Sequence, residues 1–351
     1  MRAAVFRGPG EFRVEEIPDP EPSTDGIVIA VDACGVCGSD LKTWRSGRFV
    51  RPGQVLGHEF SGRIVSTGRD AGDLSVGEYV TALPYTPCGE CDRCREGRTS
   101  LCDTALLCSI ANGEPGGFAE YLHIPHARRD RTVFALPDGM AAGSGALVEP
   151  LAVGVHAVNL AEPDQDDVAV VLGLGTVGLA VVHALAASGV RSIIATDLSE
   201  RRRAAAAVVG AHVVDPTTDD LVDVIREHTG PGAYRAPAAC DVVFDCAGAH
   251  GLIDSVMPCI RAGGALVLAA LHDRPLPVDA TSVVRRGVRI LGTFGYDDDF
   301  ATAARMVADG TVTADSLVSH RFDLDRITEG FEAQADADQS VKVLIEPGAA
   351  L

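Results

Sequence analysis

The stretch CGECDRCREGRTSLC places Cys88, Cys91, Cys94 and Cys102 on one short segment. Four thiolates spaced in this way can close a tetrahedral shell around zinc and leave no position open to substrate, so a structural zinc is the expectation. Cysteines at CxxC spacings also hold iron–sulfur clusters, which is the rival reading. A second set is scattered along the chain: Cys37, then His58 and Glu59 in GHE, then Glu149 in VEP. Mixed sulfur, nitrogen and oxygen donors with one position open to water or substrate suit a catalytic zinc. Singly, each has a plainer explanation: a turn cap for His58, a solvent-facing charge for Glu59, a helix start for Glu149. Their joint occurrence carries the reading.

A third chemical feature is VAVVLGLGTVG, in which Gly173, Gly175 and Gly178 have GxGxxG spacing directly after an apolar run, with Thr176 and Val177 opening the next helix. Glycines there let the backbone turn tightly and approach a pyrophosphate at the helix N-terminus. Alone this is a weak signal, since a close helix–strand packing turn looks the same. Asp197, at the end of the following run SIIATD, strengthens it, because a carboxylate at that point accepts hydrogen bonds from ribose hydroxyls and repels a 2′-phosphate. NAD is therefore expected over NADP. An arginine in the run Arg201 to Arg203 could bind a 2′-phosphate instead; the run is read as a solvated first helix turn, with Arg202 as the cofactor contact against the adenine.

These residues need elements to hold them. The first third of the chain reads as short alternating segments broken by turn residues, such as IVIAVDACGV after PEPSTDG. Near Glu149 the texture changes to apolar strand, glycine turn, alanine-rich helix and strand again, the pattern of βαβ units and a parallel sheet. Mixed patterning resumes after VRILGTF, with a helical stretch near 298–309 and a last strand VKVLIEP. The expected organisation is one α/β domain at 152–290 set inside a β-rich domain built from 1–151, with a zinc lobe at 86–104, and from 291–351. At 351 residues two domains are in proportion.

Composition excludes other classes. Hydrophobic residues make up 46% and charged residues 23%, a globular mixture rather than a disordered one. Lys+Arg 30 against Asp+Glu 49 gives a formal charge of −19, which repels phosphate backbones and anionic bilayers, so neither nucleic acid nor membrane is an expected partner. The N-terminal run is broken by Arg7, Gly8 and Pro9, and Val168 to Val182 is too short and glycine-rich for a span. Ten cysteines without an export signal point to metal ligation in a reducing cytoplasm. Cys240, Cys246 and Cys259 sit in or beside apolar runs and read as core residues; Cys108 has no assigned role.

Together these motifs resemble the zinc-dependent medium-chain alcohol dehydrogenases, in the sorbitol or polyol dehydrogenase-like branch. GHEFSGRIVSTG is similar to the family's zinc signature, and the cysteine lobe and GLGTVG follow in the family's order, so the resemblance spans the chain. It implies a GroES-like catalytic domain with a zinc lobe and an inserted Rossmann domain. It further implies that Cys37 and His58 ligate the catalytic zinc, that Cys34 does not, and that Glu59 binds the metal or exchanges with water. Liver-type members have a cysteine ligand where this chain has Glu149, and EPLAVGVHA is similar to the polyol branch instead. Ser39 matches the hydroxyl that takes the alcohol proton, Asp40 a supporting group that holds the local backbone or pairs with a base. Lys42 stands where many relatives have a histidine at the outer end of the proton relay.

The implied activity is oxidation of a secondary alcohol on a polyol, cyclitol, aminocyclitol or sugar derivative, through a zinc alkoxide and hydride transfer to NAD. Rival readings are a carbonyl or imine reductase that runs the same site in reverse, and a non-catalytic zinc- and nucleotide-binding protein. A homo-oligomer, dimer or tetramer, is also implied. From nearness in sequence, Trp44, Phe49, Phe118 and Phe294 are expected to line the substrate pocket.

Overall fold

The computed structural model describes residues 1–105, 109–111, 114–232 and 236–348, so Cys108 lies outside the described residues. The chain opens with a hairpin of β1 (Arg2–Gly8) and β2 (Glu11–Glu16), whose Ala4, Phe6 and Phe12 point inward. β3 (Ile27–Gly35) is buried along almost its whole length. It leads through Val36 and Cys37 into α1 (Gly38–Ser46). β4 (Glu59–Thr67) and β5 (Tyr79–Ala82) extend the sheet antiparallel, and the short α2 (Asp92–Arg95) lies in the cysteine lobe. β6 (Tyr121–Ile124) pairs with β3, β7 (Val133–Ala135) pairs with β5, and α3 (Val148–Ala161) follows.

The second unit alternates strand and helix. It comprises β8 (Val168–Leu172), α4 (Thr176–Ala187), β9 (Ser192–Thr196), α5 (Glu200–Val208), β10 (His212–Val214) and α6 (Leu221–Thr229). It continues with β11 (Cys240–Asp245), α7 (Leu252–Val256), β12 (Ile260–Leu268), α8 (Ala280–Arg286) and β13 (Arg289–Gly292). The six strands are parallel in the order β10-β9-β8-β11-β12-β13, so the winding reverses between β8 and β11. Runs such as VAVVL and CDVVFD are almost continuously apolar because helices must cover both faces of such a sheet. Cys240 and Cys259 are fully buried there.

The tail supplies α9 (Asp299–Ala308), α10 (Ala314–Leu317), β14 (Val318–Asp323), α11 (Ile327–Ala335) and β15 (Lys342–Glu346). β15 pairs antiparallel with β3, giving a seven-stranded sheet in the order β14-β15-β3-β4-β5-β7 with β6 off β3. Two compact units result: Met1–Ala152 with Asp297–Asp336 and Ser340 onward, and Val153–Tyr296 with Ala337–Gln339. The second unit runs past the expected boundary at 290 because β13 is the sheet's edge strand. Ser144–Ala161 is apolar and long enough to cross a membrane, yet 83% of it is buried within the fold, as in a core helix.

The glycines of GHEFSGRIVSTG have packing reasons. Gly57 has φ +98°, and a Cβ there would lie 2.7 Å from Cys34 Sγ. A Cβ on Gly62 would lie 2.1 Å from the Ala30 carbonyl oxygen, because β3 and β4 meet closely at that point. Neither neighbour can move away cheaply, since one is buried and the other is backbone. Gly62→Ala should therefore lower stability by about 3 kcal/mol, read as a reduced urea midpoint; an unchanged midpoint would refute this reading of the signature.

Candidate functional site

In the first unit the backbone turn from β3 into α1 places Cys37 at the helix N-cap. Asp40, 4% exposed, accepts a hydrogen bond from the Cys37 amide at 3.1 Å and lies 3.6 Å from Nδ1 of His58. One buried carboxylate thus holds the Cys37 backbone and pairs electrostatically with the His58 ring. Burial lowers the His58 pKa, but the charge and hydrogen bonding of Asp40 and Cys37 outweigh it and hold it well above the ordinary value. A metal bound there would have to displace that proton. Donor atoms of Cys37, His58 and Glu59 all lie within 4.8 Å of one another.

Glu59 is 1% exposed, and both its oxygens accept from Nζ of Lys342, at 2.8 and 2.6 Å. Lys342 also donates to the Val36 carbonyl at 3.1 Å, one residue before Cys37. Burial would lower the Lys342 pKa, but the charges of Glu59, Cys37 and Glu149 keep it above the usual lysine value. Gly35 makes room for this pair, since a Cβ on it would lie 2.0 Å from Glu59 Oε2. Glu149, buried in the first turn of α3, stands outside the set of donors that all lie within 4.8 Å and interacts electrostatically with Lys342. Its place as a ligand beside Cys37 and His58, suggested by sequence, is thus not reproduced by the donor geometry.

Ser39 and Lys42 are both exposed and, three residues apart on α1, share one face. Ser39 is not the helix cap; Cys37 occupies that position, with Asp40 reaching back to its amide. Cys34 is fully buried, and burial pushes its thiol pKa well up, as befits a core residue. The expected pocket aromatics divide. Trp44 stacks on Phe12 and Phe118 packs edge-on against Phe331, both in the core, whereas Phe49 is 85% exposed and Phe294 about half exposed. Nearness in sequence to Cys37 and to the lobe misled for the first two, because Trp44 lies one helical turn beyond Asp40 on the buried face of α1 and Phe118 lies in the wholly buried run before β6.

The lobe collects Cys88, Cys91, Cys94 and Cys102, whose Sγ atoms all lie within 4.8 Å of one another. Sγ of Cys88 and Cys94 are 3.9 Å apart, close to the roughly 3.8 Å expected for thiolates at tetrahedral angles on one zinc with about 2.3 Å bonds. Burial raises the Cys102 thiol, but donation from the Cys88 and Thr104 amides and the Thr104 hydroxyl brings it to about 6. The set fits a single thiolate-bound zinc.

In the second unit the glycine turn joins β8 to α4. Gly173, at φ +86°, donates its amide to the Thr196 carbonyl at 2.8 Å, and a Cβ on Gly178 would lie 1.8 Å from the Gly173 carbonyl oxygen. Gly175, the N-cap of α4, is open: the nearest neighbour of a Cβ there is Arg202 Nη1 at 3.9 Å. Thr176 and Val177 form the first turn, where the positive end of the helix dipole favours an anion. Asp197 follows β9 and accepts from the Leu174 amide at 2.7 Å and the Ser199 amide at 2.8 Å, which ties it to the glycine turn. Of the arginine run, Arg201 is exposed, Arg202 lies 3.9 Å from Asp197, and Arg203 is held by the carbonyls of Asp197 and Leu198 and by Asp215. The open approach at Gly175 beside Asp197 fits a dinucleotide.

Residues 23–138 match the alcohol dehydrogenase GroES-like domain, and residues 176–309 match the zinc-binding dehydrogenase domain. The chain is 32% identical to (R,R)-butanediol dehydrogenase of Bacillus subtilis strain 168 over 362 residues, covering 99% of this chain and 100% of that protein. It is 30% identical to sorbitol dehydrogenase of the same organism over 99% of this chain and 97% of that one. A zinc-binding dehydrogenase of Sinorhizobium meliloti 1021, solved bound to NADP, superposes with a TM-score of 0.88 at 31% identity, covering 99% of each chain. The fold is that of the medium-chain dehydrogenases, a GroES-like unit and a Rossmann-type sheet. The chain belongs to the zinc-dependent medium-chain alcohol and polyol dehydrogenases, oxidoreductases that use zinc and a nicotinamide cofactor.

Sequence reasoning passed over Lys342. The available signal was a lone lysine inside the apolar strand VKVLIE, which at a buried strand position demands an acidic partner. Lys342→Met leaves Glu59 as an uncompensated buried charge and should lower stability by about 3–5 kcal/mol in urea unfolding, with partial recovery when Glu59→Gln is added. Equal stability of the single variant and the wild type would contradict this reading.

Proposed function

We propose that the chain oxidises a secondary hydroxyl of a polyol, cyclitol, aminocyclitol or sugar derivative, with Cys37, His58 and Glu59 as the donors of the catalytic zinc and NAD as the hydride acceptor. The observation that carries this is the convergence of one sulfur, one nitrogen and one oxygen donor within 4.8 Å beside an exposed hydroxyl on the same helix turn. A zinc held there supplies Lewis acidity that lowers the pKa of an alcohol, and the nicotinamide supplies the hydride acceptor. The chain's own groups do the rest. Ser39 takes the hydroxyl proton, and the face it shares with Lys42 leads that proton toward solvent. Asp40 keeps His58 aligned, and Lys342 keeps Glu59 in place. Cys88, Cys91, Cys94 and Cys102 hold a second, structural zinc.

The substrate class is supported by relatives named for sorbitol and butanediol, and by Glu149 in place of a cysteine. NAD is supported by Asp197, whose charge opposes a 2′-phosphate, with Arg202 against the adenine. A homo-oligomer is supported by β13, a sheet edge with Ile290 exposed, and by the exposed Val284 on the neighbouring α8, since unpaired strand edges invite pairing. A reducing compartment is supported by the nine described cysteines, all of them thiols.

The test is metal content combined with NAD reduction over a panel of sorbitol, inositols, 2,3-butanediol and amino alcohols. Two zinc ions per chain are expected, and Cys37→Ser should lower turnover about a thousandfold or more while the lobe zinc remains. Normal turnover by that variant would remove Cys37 from the mechanism. Asp197→Gly should raise the preference for NADP relative to NAD about tenfold or more; unchanged selectivity would remove Asp197 as the discriminating group.

A further inference from the structure

Asp245 ends β11 and is completely buried, with no lysine or arginine on it among the described residues. Its Oδ1 accepts from the amides of Ala247 at 3.2 Å and Gly248 at 3.0 Å, and its carbonyl accepts from the amides of Ala269 and Ala270, each at 2.9 Å. Oδ2 meets Nε2 of His272 at 2.7 Å. Three donors thus satisfy an ionised carboxylate, and the third requires the hydrogen of a neutral His272 ring to sit on Nε2. Nδ1 then carries a lone pair. Although His272 is only 12% exposed, that Nδ1 is buried without a hydrogen-bond partner among the described residues, as is Oγ1 of Thr293. Buried polar atoms left unmatched in this way are uncommon and call for a missing partner.

Position indicates the partner. His272 follows β12 and Thr293 follows β13, at the carboxyl ends of neighbouring strands in the second half of the parallel sheet. Ligands of such sheets lie outside the carboxyl ends, and in a dinucleotide-binding sheet the two halves take one nucleotide each. The loops form one packed crest: a Cβ on Gly173 would lie 2.8 Å from the Ala247 Cβ, and one on Gly248 would lie 3.2 Å from the Ala270 Cβ. The glycine turn occupies the first half, so the His272 end belongs to the nicotinamide nucleotide. A lone pair needs a donor. The pyrophosphate offers none at neutral pH, whereas the nicotinamide nucleotide offers ribose hydroxyls and the carboxamide N–H.

We propose that His272 accepts a hydrogen bond from the nicotinamide nucleotide half of the cofactor through Nδ1, in the tautomer that Asp245 imposes. This rests on the second unit's binding a nicotinamide dinucleotide. Asp245 is a positioning residue, and its replacement by asparagine can donate to Nε2 and move the ring hydrogen to Nδ1, turning the acceptor into a donor.

The experiment is fluorescence titration of the purified full chain with NADH, with ADP, ADP-ribose and the acetylpyridine analogue of NADH as competitors. His272→Leu should weaken NADH about three- to tenfold, His272→Asn should recover part of the loss, and ADP should bind all variants equally, which certifies the fold. If the donor is a ribose hydroxyl, ADP-ribose weakens with NADH. If it is the carboxamide, ADP-ribose is unaffected and the wild type binds the acetylpyridine analogue less well. Asp245→Asn should match the leucine variant for NADH, with nitrogen NMR placing the ring hydrogen on Nε2 in the wild type and on Nδ1 in the variant. NADH affinity within twofold of wild type for His272→Leu, or an equal loss for ADP, overturns the proposal and leaves the nicotinamide reading standing. Failure of the wild type to bind any dinucleotide overturns both.

Discussion

The ion pair between Glu59 and Lys342 is the constraint on which the first unit turns. Glu59 opens β4 and Lys342 opens β15, so the pair joins an early strand to the last one, across everything inserted between them. Both groups are almost wholly buried, and neither could be so without the other. The same ammonium reaches the Val36 carbonyl, which fixes the backbone just before Cys37. Closing the sheet with β15 and shaping the donor set are therefore one event. A chain lacking its tail would leave Glu59 charged and unmatched beside Cys37 and His58. This gives a physical reason for a catalytic unit built from both ends of the sequence.

How much of this was legible from residue types depends on how local each feature is. The four-cysteine lobe was readable because all its donors lie on one loop, where spacing and geometry are nearly the same thing. The turn from β8 through Gly173 and Gly175 to α4 was readable for a similar reason, as was Asp197 one βαβ step further on. Cys37, His58 and Glu59 were readable only through their joint occurrence and gained individual roles from the resemblance to a family, since β3 and β4 bring them together through pairing that the sequence does not spell out. Lys342 and the Asp245–His272 pair were not foreseen. Their partners come from distant strands, and register, not composition, decides that they meet.

The misjudged residues show the converse. Trp44 and Phe118 were assigned to a pocket because they stand near Cys37 and the lobe along the chain. In space the period of α1 turns Trp44, and the buried bend before β6 turns Phe118, into the core with Phe12 and Phe331, where Trp44 stacks and Phe118 packs edge-on. Phe49, only five positions beyond Trp44, is left exposed with φ +67°, outside the helix that would have turned it inward. Large aromatic side chains follow burial before they follow function, so proximity in sequence is a poor guide to them.

The two units, described separately, use one device twice. An imidazole has two nitrogens, and it can present one in a defined protonation state only if the other is committed. Asp40 faces Nδ1 of His58 and Asp245 hydrogen-bonds Nε2 of His272, and both carboxylates are buried and held by backbone amides, with no lysine or arginine on either among the described residues. Amide donors stabilise the ionised carboxylate without supplying a full charge that would draw it away from the ring. Glu59 is the contrasting case: Lys342 donates to both its oxygens, which fixes the place from which it would meet a metal. A group meant to orient a histidine is thus held by amides, and one meant to brace the sheet is held by a cation. That difference separates the acidic residues that tune a neighbouring ring from the one that carries the fold.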